Sequence, residues 1–411
     1  MKKSLLYTLM LAVFLDIGNF FMPMPVYTPL FLHSPLLQTY SFEFKSILLG
    51  TLVACYGFAQ LFGAPILGEL SDQYGRKKAI LISMVMALVG CLLAAMSLTI
   101  NSIPLIFFSR LLIGFASGTI AIVFAIAADH STEKSKAKNL GYINTGLSIG
   151  AAIGPIIGGH LVNPRLHSLL TFATPFYFMA ALYLINIALL AQLLPNDKPH
   201  RKGDKKIHPF TAFQNIYIAM KRSRYLSFIV LTALFFQIGT EAFYLAAPII
   251  GVNKLQMTSA MLGNYFMIFG IIAAITSWWI NAAINRKWTN ARYIYLACIF
   301  LYTITLSSLL FARSYLTFLL PFISVGIFGV LSWIQINNLF SQAAGEKEQG
   351  LIFGVSQSMW SLGGMIGTFL IGISTAIHEK LLVSLPLFFI ILSLIFGILL
   401  ALKNNSSSNR S

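Results

Sequence analysis

Long apolar runs with almost no charge recur along this chain, and they restrict its possible folds more than any other feature. A helix of about 20 mostly apolar residues is long enough to cross the hydrocarbon layer of a membrane. The runs show none of the ten-residue alternation typical of barrel strands. The sequence therefore predicts an all-α integral membrane protein with twelve transmembrane helices. They lie at approximately 5–31, 46–68, 79–100, 104–128, 141–162, 172–194, 226–250, 259–284, 292–311, 315–339, 350–375 and 381–402.

Composition excludes a water-soluble domain. Of the 411 residues, 57% are hydrophobic and 10% are charged, whereas about a quarter of an ordinary soluble domain is charged. The first run follows two lysines and resembles a signal peptide, but Asp16 interrupts it and no small-residue cleavage site follows. We therefore expect this segment to be retained as a helix.

The net charge of +16 would indicate nucleic-acid binding in a soluble protein. In a membrane protein, Lys and Arg collect in cytosolic loops. If the N-terminus is cytosolic, most Lys and Arg residues of this chain fall in cytosolic segments. We therefore predict that both termini are cytosolic, that the protein is integral to the plasma membrane (a bacterial inner membrane), and that it has no nucleic-acid partner.

A polar interval divides the chain into two similar halves. We predict an N-terminal six-helix bundle at 1–194, a cytosolic central loop at 195–225, a C-terminal six-helix bundle at 226–402 and a cytosolic polar tail at 403–411. A shift of 213 residues superimposes four glycines of 139–159 on glycines of 352–372. Two pseudo-symmetric parallel halves of this kind are a transporter architecture.

The loop between the second and third runs reads GELSDQYGRKK over residues 68–78. Gly68 allows close helix approach, Gly75 permits a tight turn, and Asp72 can pair with Arg76 or lie at a helix N-terminus. It could also be simply a short basic loop. The string resembles the loop signature G-x-L-S-D-x-x-G-R-K/R of the major facilitator superfamily. That resemblance implies the superfamily fold and a cytosolic latch that holds the two halves together in the outward-open state.

The fifth run carries a glycine at every fourth position. Such spacing makes a smooth face that admits a neighbouring backbone, and a proline within it favours a bend. Tight packing alone would explain the pattern. However, 150–159 is similar to the G-x-x-x-G-P-x-x-G-G signature of the proton-coupled drug exporters, which favours export. The residues of this motif are Gly146, Gly150, Gly154, Pro155, Gly158 and Gly159.

Three charged residues fall inside apolar runs: Asp16, Arg110 and Glu241. Charge at membrane depth is costly and usually functional, although an arginine can snorkel to the surface and a carboxylate can be hydrogen-bonded for packing. Asn19 and Gln237 share helix faces with the two carboxylates. Arg110 also lies in a sequence similar to the superfamily's fourth-span motif, which implies a link to proton transfer. We predict that Asp16, near Arg110, is the main proton carrier. Glu241 then couples a second proton or holds a cationic substrate.

Further polar and aromatic positions predict a substrate cavity that is amphiphilic rather than strongly charged. Such a lining suits a lipophilic or zwitterionic cargo. The predicted lining residues are Asn19, Asn144, Gln237, Asn264, Tyr265, Trp333, Asn337, Gln357 and Trp360.

We therefore predict a secondary active transporter that exports a small lipophilic or amphiphilic molecule by alternating access, as a multidrug-type proton antiporter. The alternative is a proton-coupled importer of a nutrient or a siderophore-type metal chelate, and a more remote one is a membrane enzyme or receptor. We expect no enzymatic activity, no metal and no cofactor, because the histidines are scattered and no P-loop occurs. The energy source is then a proton gradient, the partners are a small molecule and the lipid bilayer, and the protein is a monomer. Cys55, Cys91 and Cys298 lack CxxC spacing and imply no disulfide.

Overall fold

A computed structural model describes residues 1–33, 37–164, 166–196, 208–343 and 349–408. Their backbone forms helices joined by short turns, as the long apolar runs require, because a helix satisfies its own peptide groups in lipid. The helices are α1 Lys3–Phe21, α2 Pro23–His33, α3 Phe42–Tyr74, α4 Arg76–Thr99, α5 Ile103–Ala116, α6 Thr119–Asp129, α7 Glu133–His160, α8 Thr174–Leu193, α9 Thr211–Arg222, α10 Arg224–Leu255, α11 Ser259–Ile275, α12 Asn281–Lys287, α13 Ala291–Ser307, α14 Tyr315–Ser324, α15 Val330–Ala343, α16 Gln349–Ile377 and α17 Leu381–Ser408.

Twelve helical stretches of the described chain are long and apolar enough to cross a membrane. Each predicted run overlaps one of them, which confirms the all-α, twelve-span fold class. Hydrophobic length is a local property of the sequence, so the existence of the spans can be derived without knowledge of tertiary contacts.

Several spans are less regular than the continuous helices that the apolar runs predict. The first is interrupted at Met22, because Pro23 has no amide hydrogen to donate and its ring disfavours the preceding helical turn. The fourth is interrupted between α5 and α6 at Ser117 and Gly118. The eighth and tenth contain π-helical turns at Thr276–Ile280 and Val325–Gly329. Hydropathy does not register such local changes of helical winding.

The segment predicted as a central loop contains a helix. Residues 211–222 form α9, so describing 195–225 as loop was wrong for this part. The pattern that favours a helix here is amphipathic rather than continuously apolar, and a search for membrane spans passes over it. Residues 197–207 of the predicted loop lie outside the described part. The backbone of the predicted polar tail continues α17 as far as Ser408.

The chain forms two compact units. The first consists of Met1–Gln38, Phe58–Pro209 and Thr258–Gly270, and the second of Thr39–Gly57, Phe210–Met257 and Ile271–Ser411. Thus α3 and α11 each contribute to both units. Within the first unit α1 packs on α7 and α8, and α4 on α5 and α8. Within the second, α10 packs on α16 and α17, and α13 on α15 and α17.

Glycines account for the part of α3 that belongs to the second unit. A methyl group at Gly50 would come within 2.6 Å of the Cα atom of Gly372, and one at Gly57 within 2.7 Å of the amide nitrogen of Met365. Helices without side chains at the contact can approach until their backbones touch. The start of α3 is therefore held directly against α16.

Candidate functional site

The turn between α3 and α4 is organised around Arg76. Gly75 adopts φ 98°, a conformation that a residue with a side chain rarely reaches, so the tight turn predicted there is present. The Arg76 guanidinium donates to Asp72 at 2.5 Å, to Ser71 at 3.0 Å and to Asp129 at 3.2 Å. One arginine thus ties the end of α3 to the end of α6.

Two features of this turn differ from the expectation. A methyl group at Gly68 would meet no atom within 4 Å, so this glycine does not mediate the close helix approach that we predicted for it. The hydrogen bond from Arg76 to Asp129, in contrast, was not predicted from the sequence. It follows the apolar fourth run directly, where a carboxylate reads as an ordinary helix end, and nothing in the sequence relates it to a residue 53 positions earlier.

The glycine face of α7 lies against the backbone of α1. A methyl group at Gly150 or Gly154 would come within 2.6 or 2.5 Å of a carbonyl oxygen of α1, which is far closer than a real contact allows. Because both helices advance by one turn every four residues, the contact repeats in register along the interface. The pairs are Gly146 with Met10, Gly150 with Phe14, Gly154 with Gly18 and Gly158 with Met22.

A neighbouring face of α7, one residue further round the helix, contacts the N-terminal part of α11. A methyl group at Gly263 would come within 2.6 Å of the carbonyl oxygen of Pro155, and Gly159 lies against Ser259. Pro155 itself lies inside the uninterrupted helix α7. The predicted motif therefore serves two helix contacts rather than one.

The first unit buries the predicted charges of its spans. Asp16 on α1 and Arg110 on α5 are both buried, which rules out the snorkelling interpretation of Arg110 in this conformation. The Arg110 guanidinium carbon lies 5.9 Å from the centre of the Tyr27 ring. Asn19, one turn after Asp16, donates from Nδ2 to the Sγ atom of Cys91 at 3.4 Å.

One carboxylate oxygen of Asp16 makes no hydrogen bond within the described part of the chain. This oxygen, Oδ2, is buried. An unsatisfied carboxylate oxygen in a buried position is expensive when ionised, so uptake of a proton or approach of a cation would stabilise it. Neither Tyr27 nor Cys91 was predicted as part of this site, because an aromatic residue or a cysteine in an apolar run is ordinarily a packing residue.

The second unit buries the other carboxylate beside aromatic rings. Glu241 on α10 is buried, as are Tyr244 of the same helix and Tyr302 of α13. Gln237 is buried one turn before it. The tyrosines were missed, since only the tertiary fold brings α13 to this part of α10.

An aromatic layer continues from this carboxylate. The ring centres of Phe236 and Tyr302 are 6.3 Å apart. Phe236 also stacks on Trp333, with ring centres 6.2 Å apart and an interplanar angle of 7°. Trp333 in turn meets Trp360 edge-on at 6.5 Å. Rings in this arrangement present both apolar faces and an electrostatic preference for cations.

The other predicted cavity residues have varied surroundings. Asn337 accepts from Ser356 at 2.7 Å and donates to the carbonyl of Trp333. Asn264 is exposed and pairs with His160 at 2.9 Å. Asn144 is exposed, whereas Tyr265 and Gln357 are half-buried. Asn19, Asn144, Asn264 and Tyr265 belong to the first unit and the rest to the second. Their sharing of one cavity stays a prediction.

Twelve membrane-length helices with carboxylates and an arginine buried in their interior define an integral membrane protein of the transporter class. The chain belongs to the Major Facilitator Superfamily, whose sequence pattern matches residues 9–368. Its family and fold are those of transporters rather than enzymes.

Three bacterial relatives illustrate the similarity. The chain is 28% identical over 361 residues to Multidrug resistance protein 1 of Bacillus subtilis (strain 168), covering 86% of each chain. It is 26% identical to Quinolone resistance protein NorA of Staphylococcus aureus (strain MSSA476), covering 80% of this chain and 81% of that protein. It is 24% identical to Tetracycline resistance protein, class B, of Escherichia coli, covering 79% and 78%.

Solved structures share the fold. A D-xylose-proton symporter superposes with a TM-score of 0.75 at 13% identity, covering 97% of this chain and 96% of that one. The POT family transporter PepTSo gives 0.74 at 15% identity, covering 100% and 99%. The human organic anion transporter MFSD10 gives 0.71 at 15% identity, covering 97% and 100%.

Proposed function

We propose that this transporter exports a small lipophilic or amphiphilic molecule in exchange for protons. The observation that carries the proposal is the setting of the two buried carboxylates. Asp16 lies on α1, which packs on the glycines of α7. Glu241 lies on α10, which packs on Gly363 and Gly367 of α16. In both units a helix with a buried acid therefore lies against a neighbour with few side chains at the contact.

Such a contact suits alternating access. Small residues at an interface let two helix backbones lie in direct contact, so no interlocking side chain opposes a slide or a rotation of one helix on the other. The protonation of a buried carboxylate then changes which arrangement is favoured. Asp16 is the main proton carrier in this scheme. Glu241, with the rings of Tyr302, Phe236 and Trp333 nearby, couples a second proton or holds a cationic cargo. The energy comes from the proton gradient.

The similarity of the chain to multidrug, quinolone and tetracycline resistance proteins supports the proposal that it exports drug-like molecules. The distribution of Lys and Arg supports an orientation with both termini in the cytosol, and the bacterial relatives support a bacterial inner membrane as the location. The turn around Arg76 then lies on the cytosolic side and acts as a latch in the outward-open state. The transporter works as a monomer in this scheme, because the scheme assigns no role to a residue of a second chain.

Inverted membrane vesicles test the direction and the coupling. With an acidic interior, vesicles that contain the wild-type protein should accumulate a lipophilic cation, a tetracycline or a quinolone, and addition of the compound should release protons. Uptake of a nutrient or an iron chelate into right-side-out vesicles with an acidic exterior, with no drug accumulation, would instead identify an importer.

Two variants test the carriers. Asp16→Asn and Glu241→Gln should each abolish or strongly reduce proton-driven accumulation, because neither amide can exchange a proton. Glu379→Gln is the matched control, since Glu379 is exposed and pairs with Lys254 at 3.6 Å, and it should transport normally. Full proton-driven transport by both test variants would refute the carrier assignment.

A further inference from the structure

The helix α9 contacts the first residues of two membrane spans, α10 and α16. Only Ser223 separates it from α10, a membrane-length helix that begins at Arg224. The Ser223 hydroxyl accepts from the Leu226 amide at 3.0 Å, and the Ser227 hydroxyl donates to the Met220 carbonyl at 2.6 Å. On another side, Gly354 near the start of the eleventh span lies against Asn215. Because both spans start here, α9 lies at the boundary of the membrane.

One stripe of α9 packs on protein and a second does not. Ala212 and Ala219 are buried, where α9 contacts α10 and α16. Phe213, Tyr217 and Met220 are exposed by 42%, 58% and 37% of their surface. Residues three and four positions apart share a helix face, so these three form a continuous apolar stripe beside the buried one. Exposure of that stripe to water would be unfavourable.

Basic side chains border the apolar stripe. Lys221 places its Nζ atom 4.6 Å from the centre of the Tyr217 ring, and Arg222 and Arg224 follow at the same end. No aspartate or glutamate occurs from residue 208 to residue 224. A helix with an apolar face and a basic edge is typical of segments that lie in the membrane interface and contact anionic lipid.

We propose that α9 is an interfacial helix that docks on anionic phospholipid headgroups at the membrane surface. The apolar stripe of Phe213, Tyr217 and Met220 enters the region between headgroups and acyl chains. Lys221 reaches from its edge to the phosphates, as long basic side chains do at such boundaries, and Arg222 adds a second positive charge at the same end of the helix. Lipid bound in this way holds α9 against α10, the helix that carries Glu241, and against α16.

Spin labels on the full-length protein in proteoliposomes test the location of the stripe. Phe213→Cys and Gln214→Cys are matched sites, because both residues are exposed and their side chains lie about 100° apart around α9, with Phe213 within the apolar stripe and Gln214 at its edge on the side of Lys221. Cys55 is replaced by serine, while Cys91 and Cys298 are buried. A label at 213 should collide mainly with oxygen, which concentrates in lipid, and a label at 214 mainly with a water-soluble nickel complex. Two water-exposed labels would overturn the proposal, and so would a 213 label shielded from both reagents, which would indicate a covering protein.

The lipid class is tested by composition. When phosphatidylglycerol is added to phosphatidylcholine vesicles, the 213 label should move deeper in the wild-type background. The double change Lys221→Gln and Arg222→Gln should abolish most of this shift, because it removes the attraction of two basic residues to the anionic surface. Lys254→Gln with Arg313→Gln removes the same charge elsewhere and should leave the shift intact. Docking on anionic lipid would be contradicted if phosphatidylglycerol did not change the depth of the 213 label. It would also be contradicted if the change in depth persisted after Lys221→Gln and Arg222→Gln.

Discussion

Arg76 donates a hydrogen bond across 3.2 Å to Asp129, which lies 53 positions further along the chain. The same guanidinium pairs with Asp72, four residues before it. Within the loop signature Arg76 has one acidic partner, Asp72, and the structure adds a second. Asp129 connects the turn before α4 to the end of α6, and the turn is therefore anchored to the rest of its unit rather than only to its own helix.

Replacement of Asp129 by asparagine should lower the free energy of unfolding by about 0.5 to 1 kcal/mol, because the ion pair is partly exposed to water. Unfolding in mixed detergent micelles measures the change. Glu69→Gln is the control, since Glu69 is a carboxylate of the same turn region that takes no part in the bridge. In an Arg76→Gln background Asp129→Asn should have little further effect. An equal cost in both backgrounds would show that the bridge contributes nothing.

Replacement of Gly154 by alanine should lower the free energy of unfolding by about 1 to 3 kcal/mol, as overpacking does. The new methyl group would meet the carbonyl oxygen of Gly18 at 2.5 Å, and backbone cannot move aside as a side chain can. Gly141→Ala on the same helix meets nothing within 4 Å. It should be neutral or stabilise by up to about 1 kcal/mol. Similar effects of the two substitutions would refute the close contact between α1 and α7.

Replacement of Tyr27 by leucine should reduce proton-driven transport, because Arg110 would lose the ring that faces its charge. A desolvated cation–π contact contributes about 2 kcal/mol, so the free energy of unfolding should fall as well. Tyr27→Phe keeps the ring and should transport almost normally. Leucine at 27 also removes a stack on Phe176 at 5.4 Å.

Phe176→Leu removes that stack alone. It should therefore destabilise the protein and leave proton coupling intact. Transport assays in vesicles and unfolding in detergent separate the two effects. If Phe176→Leu reduced coupling as much as Tyr27→Leu, packing rather than the contact with Arg110 would be the cause.

Replacement of Ser393 by alanine should lower the free energy of unfolding by about 0.5 to 1.5 kcal/mol, because the Thr232 carbonyl loses the Ser393 hydroxyl and the Tyr295 hydroxyl keeps only its bond to the Ser393 carbonyl at 3.1 Å. Ser393 binds the Tyr295 hydroxyl at 2.7 Å and donates to the carbonyl of Thr232 at 2.7 Å, so it links α17 to α13 and α10. Ser384→Ala on the same helix removes only an exposed bond to the carbonyl of Lys380, just before α17, and should have little effect. Thermal unfolding of the purified variants measures both, and equal midpoints would contradict the link.

The sequence was sufficient for the spans, the turn at Gly75 and the burial of Asp16, Arg110 and Glu241. Each depends on a local cost: apolar length, a backbone angle that favours glycine, or charge inside an apolar run. The sequence did not predict α9, because amphipathic spacing gives no apolar run. It also did not predict the surroundings of Gly68, a glycine suited to close helix approach that has open space beside it.

The fold class and the positions of the buried charges were thus determined by the sequence itself, because the membrane imposes its length and its penalty on charge one segment at a time. Only the tertiary structure decided the partners: Asp129 for Arg76, Cys91 for Asn19, Ser393 for Tyr295, and α1 for the glycines of α7. These contacts join residues on different helices, and many neighbouring helices are equally apolar. Packing of small residues and the pairing of buried polar groups, rather than hydrophobicity, select among them.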